Sequence, residues 1–110
     1  MDEIFMPVLS HFQNGNPWSA SAGRLRFLIL PHIPEEGEAT LTVEVWEGPW
    51  AYEFSTVEET ATFPLSQEGL DTIPAYLERW HREVESRPQR TLEENIARRV
   101  EPEKPEEKKE

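Results

Sequence analysis

The sequence predicts an α+β protein: a small antiparallel sheet of three to five strands, one long helix packed on a face of that sheet, and a short C-terminal helix. Three patterns predict this fold. Residues 40–47 place the apolar Leu41, Val43 and Val45 on one face and Thr42, Glu44 and Trp46 on the other, which is the period of a strand with one buried face. Apolar residues recur at intervals of three and four over 70–84, as on one side of an amphipathic helix. Thr91-Leu92-Glu93-Glu94 has the pattern of a capping box, which begins a second helix.

The length of the chain fits one domain. With 110 residues, 36% of them hydrophobic, the chain has material for a single modest core. We expect an α+β domain over residues 1–100 and a disordered charged tail over 101–110, which contains nothing to bury. The start, Met1-Asp2-Glu3, is acidic where a secretory signal is basic, and the apolar run 27–30 is too short to cross a bilayer. The prediction is a soluble cytoplasmic protein.

The elements before the central strand are predicted as follows. Residues 4–12 are apolar without a clean period and are expected to form a strand or an irregular arm, followed by a turn at 14–17. Residues 24–30 form a strand bounded by Gly23 and Pro31.

A hairpin is predicted after the central strand. Gly48-Pro49 suits a type II′ turn, since glycine tolerates positive φ and proline has a fixed φ. This turn would pair residues 40–47 with 51–56, so that Glu44 lies opposite Glu53 and Trp46 opposite Ala51. Residues 60–63 form a further short strand that ends at Pro64.

The long helix has a clear start signal and one complication. Ser66 is a good N-cap. Pro74 bends a helix that begins there, unless the regular helix starts near Thr72 and Pro74 falls in its first turn. Pro88 ends the element, and the second helix runs to about Val100. The apolar stripes of the two helices consist of Leu70, Ile73, Leu77, Trp80 and Val84, and of Leu92, Ile96 and Val100.

The net charge of −11 lies entirely in the middle of the chain. From Phe27 to Glu78 there are eleven carboxylates and no Lys or Arg, while the flanking segments are each neutral. A surface of one sign repels nucleic acid and phospholipid and attracts basic proteins. The arginines at 79–99 alternate with acids, which is typical of a salt-bridged, solvated helix face rather than a nucleic-acid site.

Catalytic and metal-binding patterns are not found. The chain has no cysteine, and His11, His32 and His81 have no ligand spacing. The pairs Glu35-Glu36 and Glu58-Glu59 lie in polar stretches where nothing would shift their pKa. We therefore expect a protein that is not an enzyme and that binds no metal or cofactor.

The candidate partner-binding site lies on the predicted hairpin. Carboxylates directly opposite each other destabilise a strand pair by some tenths of a kcal/mol, so a Glu44–Glu53 pair is expected to serve binding rather than folding. An exposed Trp46 beside it would supply apolar contact area. Two alternatives are that the amino-terminal arm or a helix covers Trp46, or that the register slips by one residue. The predicted site comprises Glu44, Trp46, Glu47, Glu53, Glu58 and Glu59.

Two segments, Val45-Trp46-Glu47-Gly48-Pro49 and residues 63–70, resemble small acidic, uncharacterised proteins of phages and integrative elements of Gram-positive bacteria. The resemblance covers roughly residues 24–80 and its motifs are structural. It implies a context in which anti-CRISPR proteins and other DNA mimics occur, by analogy only.

Two functions are therefore considered. The first is an acidic inhibitor that occupies a basic nucleic-acid-binding surface of a host defence enzyme by phosphate mimicry, with its carboxylates fixed on a sheet. The alternative is a small non-catalytic structural or adaptor module that binds a protein partner through aromatic residues. The partner in the first case is a basic protein, and no direct contact with nucleic acid or membrane is expected.

Overall fold

A computed structural model describes residues 4–100 and shows an α+β fold with one four-stranded sheet. The predicted tail at 101–110 and the acidic start at 1–3 lie outside the described residues. In chain order, the elements are α1 (Leu9–Gln13), β1 (Trp18–Ala22), β2 (Leu25–His32), β3 (Thr40–Glu47), a 3-10 helix (Tyr52–Phe54), β4 (Glu59–Pro64), α2 (Gln67–Glu85) and α3 (Leu92–Arg98).

The sheet is antiparallel and its strands lie in chain order, β1-β2-β3-β4. The central strand β3 pairs on both sides, with Val43 opposite Ile29 of β2 and Ala61 of β4. Its alternation is as predicted: Leu41, Val43 and Val45 face the core, because successive strand side chains point to opposite faces.

The core lies between one face of the sheet and α2. Each helix residue of the predicted stripe except Trp80 is buried, and Phe12 of α1 closes one side. Burial of each such large apolar side chain contributes about 1.5–3 kcal/mol. The fully buried side chains are Phe12, Leu25, Phe27, Ile29, Leu41, Val43, Val45, Ile73, Leu77 and Val84.

Helix α2 begins where the cap predicts. The Ser66 hydroxyl accepts a hydrogen bond from the Gly69 amide at 3.1 Å, which satisfies one of the free N–H groups of the first turn. Pro74 therefore lies inside the helix, and the later start near Thr72 is wrong. Gly69 packs so closely on β4 that a Cβ at this position would collide with the carbonyl oxygen of Pro64.

The predicted hairpin at Gly48-Pro49 is wrong. The Gly48–Pro49 peptide bond is cis, and residues 51–56 form no strand beside β3. The position opposite β3 is taken by β4, which places Thr60 rather than Glu53 beside Glu44. The segment after Gly48 instead folds back over Trp46, whose indole N–H donates to the Trp50 carbonyl at 2.9 Å. Coverage of this large aromatic side chain favours the loop over a continued ladder.

The amino-terminal segment also differs from expectation. Residues 9–13 form the short helix α1 rather than a strand or an arm, and residues 14–17 make the predicted turn with Gly15 at φ 87°. Strand β1 was not expected, because its sequence Trp-Ser-Ala-Ser-Ala has small side chains with a weak apolar signal.

Helix α3 has the predicted capping box at Thr91 and Glu94. It lies against the segment 48–55, and the contacts are largely polar. The Trp50 indole donates to the Asn95 carbonyl at 2.6 Å, and the Val100 amide donates to the Phe54 carbonyl at 2.8 Å. The apolar stripe of this helix is exposed, with 74% of Leu92 and 54% of Ile96 accessible to solvent.

The two ends of the sheet differ in charge. At one end, β2 ends and β3 and α2 begin; residues 31–41 and 63–72, which form it, contain no Lys or Arg. We call it the acidic end, and its carboxylates are Glu35, Glu36, Glu38, Glu68 and Asp71. At the other end, β2 begins and β3 and α2 finish. We call it the arginine end, and its arginines are Arg24, Arg26, Arg87, Arg90 and Arg98.

Candidate functional site

Glu47 is the buried centre of the arginine end. Only 3% of this residue is exposed, and its carboxylate lies 3.0 Å from Arg87 and 3.1 Å from Arg90. Arg24 is 3.5 Å away and Arg98 4.0 Å. A predicted partner-binding residue is thus enclosed by the arginines that the sequence assigned to a solvated helix face. The expectation that these arginines form salt bridges holds, but with a buried partner.

The ionisation of Glu47 follows from these contacts. Burial alone raises the pKa of this carboxyl group, since it disfavours the charged form. The hydrogen bonds from Arg90 and Arg87 outweigh burial and lower the pKa from 4.5 to about 2. Glu47 is therefore a charged structural centre at neutral pH.

Glu58 and Glu59 are also engaged within the protein. Glu58 accepts two hydrogen bonds from the Arg87 guanidinium, at 2.9 and 3.0 Å. Glu59 accepts one from the Tyr76 hydroxyl at 2.6 Å, which lowers the pKa of Glu59. The pKa of Tyr76 is raised, first by burial and then by this bond. Glu58 thus connects the residue before β4 to the segment after α2, and Glu59 connects β4 to α2 itself.

Trp46 and Glu53 lie apart from the predicted array. Trp46 is 3% exposed, so the prediction that its side chain is exposed on the sheet is wrong. Trp46 is therefore covered, as one alternative proposed, but by the segment after Gly48: its ring contacts Tyr52 of the 3-10 helix at a centroid distance of 5.5 Å. Glu53 is exposed in the 3-10 helix.

Glu44 lies on the sheet with no salt-bridge partner among the described residues, and unlike Glu59 it has a buried oxygen without a hydrogen bond. The register places it between Leu28 of β2 and Thr60 of β4. Its Oε1 atom is shielded from solvent and accepts no hydrogen bond from the described residues. The side chain of Tyr52 hydrogen-bonds to this carboxylate, which raises the pKa of Tyr52.

The face of the sheet that carries Glu44 lies opposite the face that packs on α2, and residues 50–52 cover it at Trp46. We call the part of this face from Glu44 toward the acidic end the open face. From Glu44 toward the acidic end it presents apolar and hydroxyl side chains from adjacent strands. Leu30 is 36% exposed, and Tyr52 at the border of the face is 43% exposed. The outward side chains in this region are Ser19, Leu28, Leu30, Thr42, Thr60 and Thr62.

Sequence reasoning missed two groups of residues. Arg24, just before β2, and Arg26 within it were not assigned a role, although two arginines that flank the start of a strand are a visible signal in an acidic chain. Tyr52 falls in the strand predicted over residues 51–56 and instead lies in the 3-10 helix, at the border of the open face. Its role depends on the conformation of residues 48–57, which no local sequence pattern predicts.

In comparisons with known proteins, no family model, curated protein or solved structure matches the chain. The fold and the site define an acidic α+β domain with an open face on its sheet. Within residues 4–100, no three His, Asp or Glu side chains lie close enough to hold a metal ion. None of the helices in this range combines the length and hydropathy that a membrane crossing requires.

Proposed function

We propose that this protein is a non-catalytic binding module that docks a basic protein surface onto its open face. The observation that carries the proposal is the environment of Glu44. A carboxylate between a leucine and a threonine, with one oxygen shielded and unsatisfied, lowers the stability of the sheet. A cationic side chain from a partner would supply the counter-charge that the chain itself does not.

The distribution of charge supports a basic partner. The acidic end adjoins the open face, and its five carboxylates have no Lys or Arg in the segments that form it. Such a field speeds encounter with a positively charged surface and weakens as salt is added. The arginines of the opposite end, by contrast, are largely engaged with Glu47 and Glu58.

The open face also offers apolar contact area. Leu30 and Tyr52 are partly exposed, and they lie near Glu44 on the same side of the sheet. A charged group next to an exposed aromatic ring is the composition of many interface centres. Binding through aromatic residues, the alternative considered from the sequence, thus becomes part of the same proposal, with Tyr52 in place of Trp46.

Inhibition of a nucleic-acid enzyme by phosphate mimicry is a narrower form of this proposal and stays a prediction. The carboxylates available for it are those of the acidic end together with Glu44 and Glu53. Glu47 and Glu58 are unavailable because arginines of the same chain hold them. If the captured partner binds nucleic acid, the narrower form expects a DNA or RNA duplex to compete with this protein for it.

The experiment compares the wild-type protein with Glu44→Thr and with the matched control Glu36→Thr from the acidic end. Proteins captured from a host lysate are purified and their affinities measured at about 0.05 M and about 0.5 M salt. We expect a one-to-one complex that Glu44→Thr weakens at least about tenfold, or about 1.4 kcal/mol, and that Glu36→Thr weakens far less. The proposal is wrong if no captured protein discriminates between the two variants.

A stability measurement separates binding from folding. Because Glu44 lacks a basic partner and Thr60 lies beside it, Glu44→Thr is expected to leave the free energy of unfolding unchanged or to raise it by up to about 1 kcal/mol. A fall of more than about 1 kcal/mol would instead assign Glu44 a structural role through Tyr52.

A further inference from the structure

The arginine end contains a cavity of about 190 Å³. It opens between the β1–β2 turn, the end of β3 and the segment that leads from α2 to α3. Its volume lies below the roughly 300–1,000 Å³ that is typical of pockets for drug-sized ligands. It therefore suits a small ion or group. Its lining includes Arg24, Arg26, Glu47, Gly48, Arg90 and Asn95.

The cavity has an excess of positive charge. Three guanidinium groups line it, from Arg24, Arg26 and Arg90, against the single carboxylate of Glu47. The Glu47 carboxylate also accepts a hydrogen bond at 3.0 Å from Arg87, a residue outside the lining of the cavity. Arg87 is also paired with Glu58 at 2.9 Å, so the excess charge of the cavity is that of the three lining arginines against Glu47 alone. Charged groups that are partly removed from water favour a counter-ion.

Arg26 is the least engaged of these arginines. Its Nη1 donates to the carbonyl oxygens of Gly23 at 2.7 Å and Leu25 at 3.2 Å, and no described carboxylate lies within salt-bridge distance. The group rests against Gly48, where an added Cβ would lie within 3 Å of the guanidinium carbon. A glycine at this position therefore makes room for a guanidinium whose Nε and Nη2 donors have no partner among the described residues.

The amide of Asn95 adds a neutral donor. Its Oδ1 accepts a hydrogen bond from Arg98 at 3.2 Å, which leaves its NH₂ group available to donate. Guanidinium groups bind carboxylate and phosphate oxygens in a planar, bidentate fashion, and the three acceptor oxygens of a phosphate group can serve several donors at once.

We propose that this cavity binds a phosphate group, held by the Nε and Nη2 donors of Arg26 and by the positive charge of Arg24 and Arg90, whose guanidinium groups also contact Glu47. The site is separate from the open face and does not depend on the proposed function. Free inorganic phosphate and a phosphomonoester share the chemistry that these residues recognise. The two sources are distinguished by titration with inorganic phosphate and with phosphoserine.

The test measures binding of inorganic phosphate to the full chain by amide NMR shifts, with sodium chloride at matched ionic strength as the control. We expect saturable shifts at Gly23, Gly48 and Asn95 and a rise in the unfolding temperature that grows with phosphate concentration. Arg26→Gln is expected to weaken phosphate binding at least tenfold, which corresponds to about 1.4 kcal/mol of binding free energy. Arg82→Gln, on the exposed face of α2, should bind as the wild type does.

Two further variants keep the test decisive. Gly48→Ala retains every arginine but displaces the Arg26 guanidinium, so it should also lose affinity. Arg26→Lys keeps the charge without the planar donor set and should bind more weakly than the wild type. Wild-type shifts that do not saturate, or equal affinity in the wild type and in Arg26→Gln, overturn the proposal. If Arg26→Gln does not fold, the comparison of Gly48→Ala with the wild type decides.

Discussion

At the scale of single residues, Glu47 shows that the negative charge of a side chain does not by itself predict a role in binding. The sequence places it beside Trp46 and Gly48 as one more carboxylate of an acidic segment. The fold gives it four arginines within 4.0 Å and leaves 3% of it exposed. Removal of one member of a buried ion pair is costly because the others keep their charge without a partner.

Glu47→Gln is therefore expected to lower the free energy of unfolding by about 2–4 kcal/mol at pH 7. The pH dependence has a definite sign. Because the pKa of Glu47 is lowered from 4.5 to about 2, its contribution is full above pH 4.5 and is lost as the pH falls toward about 2.

Urea unfolding of the wild type and of Glu47→Gln between pH 7 and pH 2 checks this expectation. The difference between their free energies of unfolding should be largest at neutral pH and should shrink in acid. Glu78→Gln, which removes a 3.8 Å pair on the surface of α2, serves as a control and should cost less than about 1 kcal/mol. A difference that does not change with pH would contradict the assignment.

At the scale of elements, α3 has an apolar stripe that does not pack against the described part of the protein. Arg98 contributes two of the contacts that hold the helix: it donates to the Gly48 carbonyl at 2.9 Å and to the Glu47 carbonyl at 3.0 Å, beside the Trp50–Asn95 hydrogen bond. Polar contacts, rather than the burial of Leu92 and Ile96, therefore fix its position.

We expect Arg98→Ala to free α3, with a loss of about 1–3 kcal/mol and faster amide exchange in residues 92–98, while β2 and β3 stay protected. Ile96→Ala should change stability by less than about 0.5 kcal/mol. Amide hydrogen exchange with urea unfolding measures both. A larger effect of Ile96→Ala than of Arg98→Ala would show that the apolar stripe is packed in solution.

The elements also show where local sequence suffices. Strand β3 and helix α2 were predicted because their apolar periods and the Ser66 cap are local signals. The hairpin failed for a non-local reason. Gly48-Pro49 is compatible with a tight turn, but coverage of Trp46 by residues 50–52 and the pairing of β4 with β3 depend on side chains distant in the sequence. The arginines around Glu47 are likewise 40 or more residues away from it, apart from Arg24.

At the scale of the whole molecule, the charges are separated along the strands. Two carboxylates of the middle segment, Glu47 and Glu58, are paired at the arginine end, and five of the other nine lie at the acidic end. The prediction of a one-sign surface thus holds for one end of the protein only, and the candidate site residues contribute Glu44 and Glu53 to the charge that remains unpaired.

Added salt is expected to stabilise the protein. Repulsion among the exposed carboxylates of the acidic end is screened between about 0.02 M and about 0.2 M sodium chloride, whereas the buried contacts of Glu47 are screened much less. The urea midpoint should therefore rise over this range. In a variant with Glu35, Glu36 and Glu38 changed to Gln, the rise should be smaller. A midpoint that falls with salt would show that the arginine end dominates the electrostatic energy.

The contacts of Glu47 also determine how the two halves of the chain stay together. They join Arg24, just before β2, to Arg98 at the end of α3. Because the protein has no cysteine, these ion pairs are a non-covalent cross-link between segments distant in the sequence. It survives reducing surroundings, in which a disulfide would open, and it is undone by acid, which a disulfide withstands.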